Sequence, residues 1–169
     1  DKMQENNWLG SKTGQGFYKK TKDEKGNKQI LTLNLDTLAY ELQGKTKFAT
    51  LEMAKPIDDL AKRTKHLFNG KDKAGEFYRK TMSALFSYIS NRLPEISDEI
   101  YRIDDAMKAG FGWEMGPFET WEAIGIEAGV KAFKDAGLKL APWVEEMVAN
   151  GHTSFYKNEN GAKHYYNQT

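Results

Sequence analysis

With 169 residues the chain can hold one ordinary domain with a sizeable core plus a short appendage, and is too short for two catalytic domains. Its 25 Lys and Arg against 24 Asp and Glu leave a net charge of +1 with the two signs interspersed, which removes the electrostatic case for a nucleic-acid footprint or an anionic membrane patch. The absence of cysteine excludes a disulfide framework and cysteine-based chemistry and fits a reducing compartment. With no apolar run of about 18 residues and a polar stretch at Asp1 to Asn7, the expectation is a cytoplasmic protein with no membrane segment.

Residues 1 to about 35 look like an ending rather than a beginning. Trp8 and Leu9 close a helix before Gly10, Phe17 and Tyr18 form a short strand, Asp23 to Asn27 turn, and Ile30 to Leu35 return as a strand with period-two apolar residues. The charged segment Lys19 to Lys28 is expected to be mobile. Asp36-Thr37 is a turn, Leu38 to Leu42 a further strand, and Gly44 to Lys47 a loop.

From Leu51 onward the pattern is helical. Pro56 fits a first helical position, and Ile57, Leu60, Ala61, Thr64, Leu67 and Phe68 form a 3.6-residue stripe until Asn69-Gly70 supplies a left-handed stop. Asp72 caps the next helix, with Ala74, Phe77, Tyr78, Thr81, Leu85, Tyr88 and Ile89 as its inner face, ending or kinking near Arg92 because of Pro94. Ser97 caps a following helix whose apolar positions are Ile96, Ile100, Ile103 and Met107.

The chain is organised around Asp104 to Trp121. Gly110, Gly112 and Gly116 let it turn sharply before Pro117 starts a new helix, and the interleaved Phe111, Trp113 and Met115 call for burial. Pro117 to about Ile124, Ile126 to Ala136 and Pro142 to Val148 are then helices stopped by Gly125, Gly137 and Asn150-Gly151, and Ser154 to Tyr166 is a hairpin around Asn160-Gly161. The two ends repeat each other. Gly16-Phe17-Tyr18-Lys19, a polar turn and an apolar strand correspond to Ser154-Phe155-Tyr156-Lys157, a polar turn and Tyr165-Tyr166.

The run Ile103 to Met107 followed by Gly110 to Phe118 resembles the signature of the C-terminal helical domain of 3-hydroxyacyl-CoA dehydrogenases, the NAD-dependent enzymes of fatty-acid β-oxidation. Leu9 to Tyr18, with Gly14, Gly16, Phe17 and Tyr18, resembles the motif with which the same domain ends. An ending therefore precedes a beginning. The resemblance implies the tail of a first helical-domain copy over residues 1–35, a linker over 36–50 and a complete second copy over 51–169, as in long dehydrogenases with two copies. It implies a mainly α, compact multi-helix domain with short β-hairpins near both termini. The partners it implies are a nucleotide-binding domain upstream that holds NAD, in some members an enoyl-CoA hydratase-like domain, and a 3-hydroxyacyl-CoA as the parent's substrate.

For chemistry, Gly110-Phe111-Gly112 follows a helix and has Met115 at the third glycine position, so no dinucleotide fingerprint is assigned. Gly44-Lys45-Thr46 mimics the end of a phosphate loop, but Ala39 stands at its first glycine position. The resemblance implies a histidine base oriented by a glutamate, both in the upstream domain. His66, His152 and His164 match no such motif and lack metal-ligand spacing, so no catalytic, cofactor-binding or metal residue is assigned here. Asp98 and Arg102 are spaced for a surface ion pair. In the pattern of the family it resembles, Asp104 sits at the end of the helix before the glycine turn, where its oxygens can hold backbone N–H groups and brace the bend, a role preferred over contact with an anionic CoA ester, which would repel it.

The structural motif is thus Gly14, Gly16, Phe17, Tyr18, Asp104, Gly110, Gly112, Gly116, Pro117 and Phe118. Phe111, Trp113, Phe118, Trp121 and Trp143 suit either an acyl groove or core packing; core packing is preferred, with Phe111, Trp113 and Trp121 kept as acyl or interface contacts. Asn91-Arg92-Leu93 is superficially similar to a stretch of the family's catalytic copy, yet Pro94 follows at once and no substrate role passes to Asn91. The preferred function is an architectural, pseudo-dimer domain of a multidomain dehydrogenase, inactive alone. The competing classes are a stand-alone helical interaction module, which would expose Trp113, Phe118 and Trp121 in one patch, and an acyl-CoA-binding domain, which needs a cationic cluster. Homodimerisation is an expected consequence of cutting a multidomain protein across an interface.

Overall fold

A computed structural model describes residues 2–44 and 46–167, so Lys45 of the Gly44-Lys45-Thr46 segment and the last two residues of the chain lie outside the described residues. The fold is mainly α, and it divides into two compact units, Asp1–Thr46 and Lys47–Thr169.

The first unit carries a short helix, α1 (Lys2–Glu5), a 3-10 turn at Ser11–Thr13, and strands β1 (Tyr18–Lys22), β2 (Lys28–Leu33) and β3 (Tyr40–Leu42) in an antiparallel sheet of order β1-β2-β3. Trp8 and Leu9 fall beyond α1 rather than closing it. The supposedly mobile stretch from Lys19 is regular structure: Lys19 to Lys22 pair with Lys28 to Leu31, and Asp23 Oδ1 accepts the N–H groups of Lys25 and Asn27 at 2.9 and 2.8 Å. One carboxylate therefore organises the five-residue turn. The returning strand is displaced toward Lys28, and Tyr40–Leu42 of the expected linker pairs with β2. Tyr40 also donates its hydroxyl to the Gly16 carbonyl at 2.6 Å.

The second unit contains α2 (Ala49–Ala54), α3 (Leu60–Asn69), α4 (Lys73–Ile96), α5 (Ile100–Phe111), α6 (Pro117–Ile124), α7 (Ile126–Asp135), α8 (Pro142–Ala149), and the hairpin β4 (Tyr156–Glu159) and β5 (Ala162–Tyr165). Pro56 follows α2 instead of opening a helix; Asp59 caps α3 by accepting Lys62 N–H at 2.7 Å. Gly70 is not left-handed. It has φ −53°, and it is glycine because a Cβ there would collide with the Thr50 side chain. Asp72 caps α4 as expected, accepting from Ala74 and Gly75 at 3.1 Å each, and its other oxygen accepts Thr50 N–H at 2.9 Å.

The inner face of α4 is rotated by about one residue from the expected stripe. Phe77 and Tyr88 are 63 % and 66 % exposed, while Ser83, Phe86, Ser87, Ile89, Ser90 and Leu93 are buried. Two of these serines find acceptors for their hydroxyls, Ser87 on Lys139 O at 2.7 Å and Ser90 on Phe86 O at 2.7 Å, while the buried Ser83 hydroxyl finds none among the described residues. Pro94 does not end the helix at Arg92. Lacking an N–H it leaves the Ser90 carbonyl without its helical donor, and the indole N–H of Trp143 takes that place at 2.9 Å. The helix runs on to Ile96, which is exposed and belongs to α4, and Ser97 is its C-cap; the N-cap of α5 is Glu99.

Trp121 is the centre of the core, stacked on Phe86 at 5.2 Å and in contact with Phe133 and Phe155 at 5.0 and 5.1 Å. α6 carries it there, packed by α3, α4 and α5. The terminal hairpin turns at Asn160 and Gly161, φ 52° and 80°, as the sequence predicts for a primed turn.

Replacing Trp143 by Phe keeps the ring volume near that site but strands the buried Ser90 carbonyl. The expected loss is about 1–3 kcal/mol, read from urea unfolding of the two proteins; equal midpoints would mean that another donor replaces the indole.

Candidate functional site

The corner between α5 and α6 is held by a helix cap that comes from the wrong helix. An N-cap side chain ordinarily accepts the N–H groups at the second and third helical positions. The cap residue of α6 is Gly116, which has no side chain, and the first helical residue is Pro117, which has no N–H. Asp104 of α5 fills the vacancy: Oδ1 accepts Phe118 N–H at 2.7 Å and Oδ2 accepts Glu119 N–H at 3.0 Å. Gly116 is required for this approach, since a Cβ on it would collide with the Cα and Cβ of Asp104. Glu119 completes the cap by accepting Gly116 N–H at 2.9 Å. Its carboxylate also meets Lys108 and Lys163 at 3.1 and 2.9 Å.

The terminal hairpin closes over this corner. Tyr156 donates its hydroxyl to Asp104 Oδ2 at 2.6 Å, and Glu122 Oε2 accepts Phe155 N–H at 2.6 Å while Oε1 accepts the Ser154 hydroxyl at 2.8 Å. Lys163 lies over the Tyr156 ring at 4.2 Å. A cleft opens onto this network, lined by Asp104, Glu119 and Tyr156 together with Tyr101, Asp105, Lys163 and Tyr165.

Asp104 is 1 % exposed. Burial pushes its pKa up to about 6, against the opposing hydrogen bonds from Tyr156 and Phe118, and the nearby Glu119 charge adds to the rise. Burial and the hydrogen bond to Asp104 raise the Tyr156 hydroxyl, which keeps it a donor. Burial alone would raise Glu119, but Gly116 N–H, Lys163 and Lys108 hold it below its ordinary value. Beside the cleft Glu99 is lowered to about 2 by the Tyr165 hydroxyl and then by Arg102. Arg102 thus pairs with Glu99, the residue next to the expected Asp98.

The remaining motif positions separate into different roles. Gly112 ends α5 in the left-handed region at φ 68°, whereas Gly110 lies within the helix and makes no turn. Pro117, Phe118 and Trp121 are fully buried. Phe111 and Trp113, expected to be buried, are 73 % and 39 % exposed, because α5 runs through Phe111, a full turn beyond partly buried Met107. Phe118 and Trp121 therefore cannot share an exposed patch with Trp113. In the first unit Gly14 is left-handed at φ 80°, Gly16 is buried, and Phe17 and Tyr18 are 57 % and 59 % exposed.

The histidines are dispersed: His66 Nε2 is 3.1 Å from Thr50 O, His152 lies against the Tyr166 ring, and His164 is in β5. Asn91 is tied to the Ser87 and Lys139 carbonyls at 2.8 and 3.2 Å. Among the described residues no group of three His, Cys, Asp or Glu could hold a metal ion, and no helix is long and apolar enough to cross a membrane. Glu119, Glu122, Tyr156 and Lys163 escaped the sequence reading. Glu119 alone carried a local signal, a glutamate at the third helical position after Gly116-Pro117.

The Asp104 network makes two predictions. Asp104→Ala strands two backbone donors and a hydroxyl, so it should cost about 3 kcal/mol and lower the melting temperature by roughly 10 °C; an unchanged melt would reject the bracing role. Because the folded pKa is raised, the proton stabilises the fold: the contribution is complete below about pH 4 and declines by about 3 kcal/mol as pH rises through 6. Carboxyl NMR should show Asp104 titrating near 6, and a midpoint below 4 would mean that the donors outweigh burial.

Residues 77–165, containing the corner and nearly all of the hairpin, match the family described as 3-hydroxyacyl-CoA dehydrogenase, C-terminal domain. The chain is 40 % identical over 166 residues, 98 % of its own length, to a Bacillus subtilis (strain 168) protein named a probable 3-hydroxyacyl-CoA dehydrogenase. It is 29 % identical over 164 residues, 96 % of its length, to a protein of Rickettsia prowazekii (strain Madrid E) named as a fatty acid oxidation complex trifunctional enzyme. A protein of the same description in Rickettsia felis (strain ATCC VR-1525 / URRWXCal2) is 27 % identical over 142 residues, 84 % of this chain and 18 % of that protein. The chain spans about a fifth of the length of these relatives, 20 % and 21 % of the first two. By the match across its corner and hairpin, the chain belongs to the family of the 3-hydroxyacyl-CoA dehydrogenase C-terminal domain.

Proposed function

We propose that this chain is an architectural region of a multidomain 3-hydroxyacyl-CoA dehydrogenase of fatty-acid oxidation, and that the chemistry belongs to a nucleotide-binding domain elsewhere in the parent. NAD would be held by that domain, with a 3-hydroxyacyl-CoA as the parent's substrate; an enoyl-CoA hydratase-like domain is a second partner in parents of the trifunctional kind. Residues 1–35 are read as the tail of a first helical copy, 36–50 as a linker and 51–169 as a second copy, which stands where a dimer partner's domain would stand in a single-copy enzyme.

The observation that supports this reading most is how Asp104 is used. It is the most buried carboxylate of the corner, and its two oxygens accept three donors that join α5, α6 and the hairpin. A general base needs a lone pair within reach of the proton it removes. Here three of those lone pairs are taken up by the protein's own donors, two α6 amides and the Tyr156 hydroxyl.

Calorimetric titration of the chain with NADH and with acetoacetyl-CoA, beside a dehydrogenase assay, tests the proposal. No heat of binding and no turnover are expected. Saturable binding of acetoacetyl-CoA would overturn the architectural reading in favour of a substrate site in this chain, and loss of that binding in Trp113→Ala would place it at the exposed aromatic end of α5.

A further inference from the structure

The two hairpins share more than a residue pattern. Tyr18 pairs with Thr32, and Leu33 N–H donates to Phe17 O at 2.9 Å; Tyr156 pairs with Tyr165, and Tyr166 N–H donates to Phe155 O at 2.8 Å. The Phe-Tyr pair thus enters each hairpin at the same register. Its surroundings differ. Phe155 is 1 % exposed between Phe118 and Trp121, and the Tyr156 hydroxyl is bound to Asp104. Phe17 and Tyr18 are 57 % and 59 % exposed, and the Tyr18 hydroxyl has no hydrogen-bond partner among the described residues. They line one cleft with Gly14 and Ile30, which is itself 49 % exposed. Three large apolar side chains in one cleft form an uncovered surface of the kind that marks an interface.

We propose that this face of the first unit is a docking surface for a helical corner built like α5–α6, a second instance of the same helical unit. On it Phe17 fills an aromatic pocket as Phe155 does, and the Tyr18 hydroxyl donates to a buried aspartate as Tyr156 does. The proposal rests on the reading of residues 1–35 as the tail of a first copy and names the contacts that tail makes. The matched register also locates a difference in specificity. Ile30 stands where Lys163 stands, since Thr32 is opposite Tyr18 and Tyr165 is opposite Tyr156. The corner that receives the first unit therefore meets an apolar side chain where Glu119 meets a lysine.

The test grafts residues 16–33 in place of 154–166 in the otherwise intact chain, in two versions: one with Ile30 retained and one with Ile30→Lys to suit Glu119. A chain lacking residues 154–167 gives the baseline. At least one graft should melt cooperatively within about 10 °C of the parent, with the lysine version higher, and Tyr18→Phe within the graft should lower that melt by several degrees. Both grafts melting no higher than the baseline would overturn the proposal, and so would a stable graft indifferent to Tyr18→Phe. Sedimentation of the intact chain adds a further arm: a mass unaffected by Phe17→Ala is expected, whether or not the chain self-associates elsewhere on its surface. A dimer dissolved by that change would make another copy of this chain the occupant and overturn the proposal. These readouts are melts and masses, so their failure is separable from any outcome of the NADH and acetoacetyl-CoA titration.

Discussion

The second unit depends on a carboxylate of one helix capping the next. A helix that begins with Gly116 and Pro117 has neither a capping side chain nor a first N–H, so its next two donors must be satisfied from elsewhere. Asp104 does so, and in doing so fixes the angle between α5 and α6. That angle decides where the rest of α6 goes. Two turns of helix later it has carried Phe118, Trp121 and Ile124 into full burial, and Trp121 is stacked against Phe86 of the long helix and covered by Phe133. The aromatic core is assembled by apolar burial, but its registration comes from a polar cap.

The same carboxylate explains why the hairpin lies where it does. Tyr156 completes the coordination of Asp104, and Glu122, one turn after the cap, fixes the Phe155 backbone, so α5 and α6 hold the hairpin through one carboxylate each. The outer charges act differently. Lys163 and Lys108 are 52 % and 30 % exposed along their side chains, and ion pairs in such positions contribute little by themselves. Their effect is to keep Glu119 ionised, so that it accepts Gly116 N–H and completes the cap around Asp104.

How much of this was legible in the sequence depends on how local each signal was. Pro117, Gly125, Pro142 and Asn160-Gly161 act within one or two residues, and the elements they bound fall where expected. That Asp104 accepts backbone N–H groups after the glycine bend was legible from the family pattern the sequence resembles. The phase of α4 was not, because two stripes about one residue apart compete on it, and the buried one includes Ser87, whose acceptor, Lys139 O, lies 52 residues away. Pro94 misled in the same way, since its penalty is cancelled by Trp143, 53 residues from Ser90. Phe111 and Trp113 were given to the core on hydrophobicity, whereas position at the end of α5 leaves them in solvent. Glu122 and Tyr156 carry no local signal; only the closed hairpin makes them partners of the corner.

A buried acid with a raised pKa is ordinarily a reason to suspect catalysis. At this corner desolvation is the largest cause of the shift. Gly116 lets the carboxylate sit against the α6 backbone, where two amides and a phenol donate to three of its lone pairs. The raised value follows from how closely α6 and the hairpin pack on it. Phe17 and Tyr18 enter the first hairpin at the same register, and the contrast between 1 % exposure at Phe155 and 57 % at Phe17 separates a hairpin closed on a helical corner from one that is open.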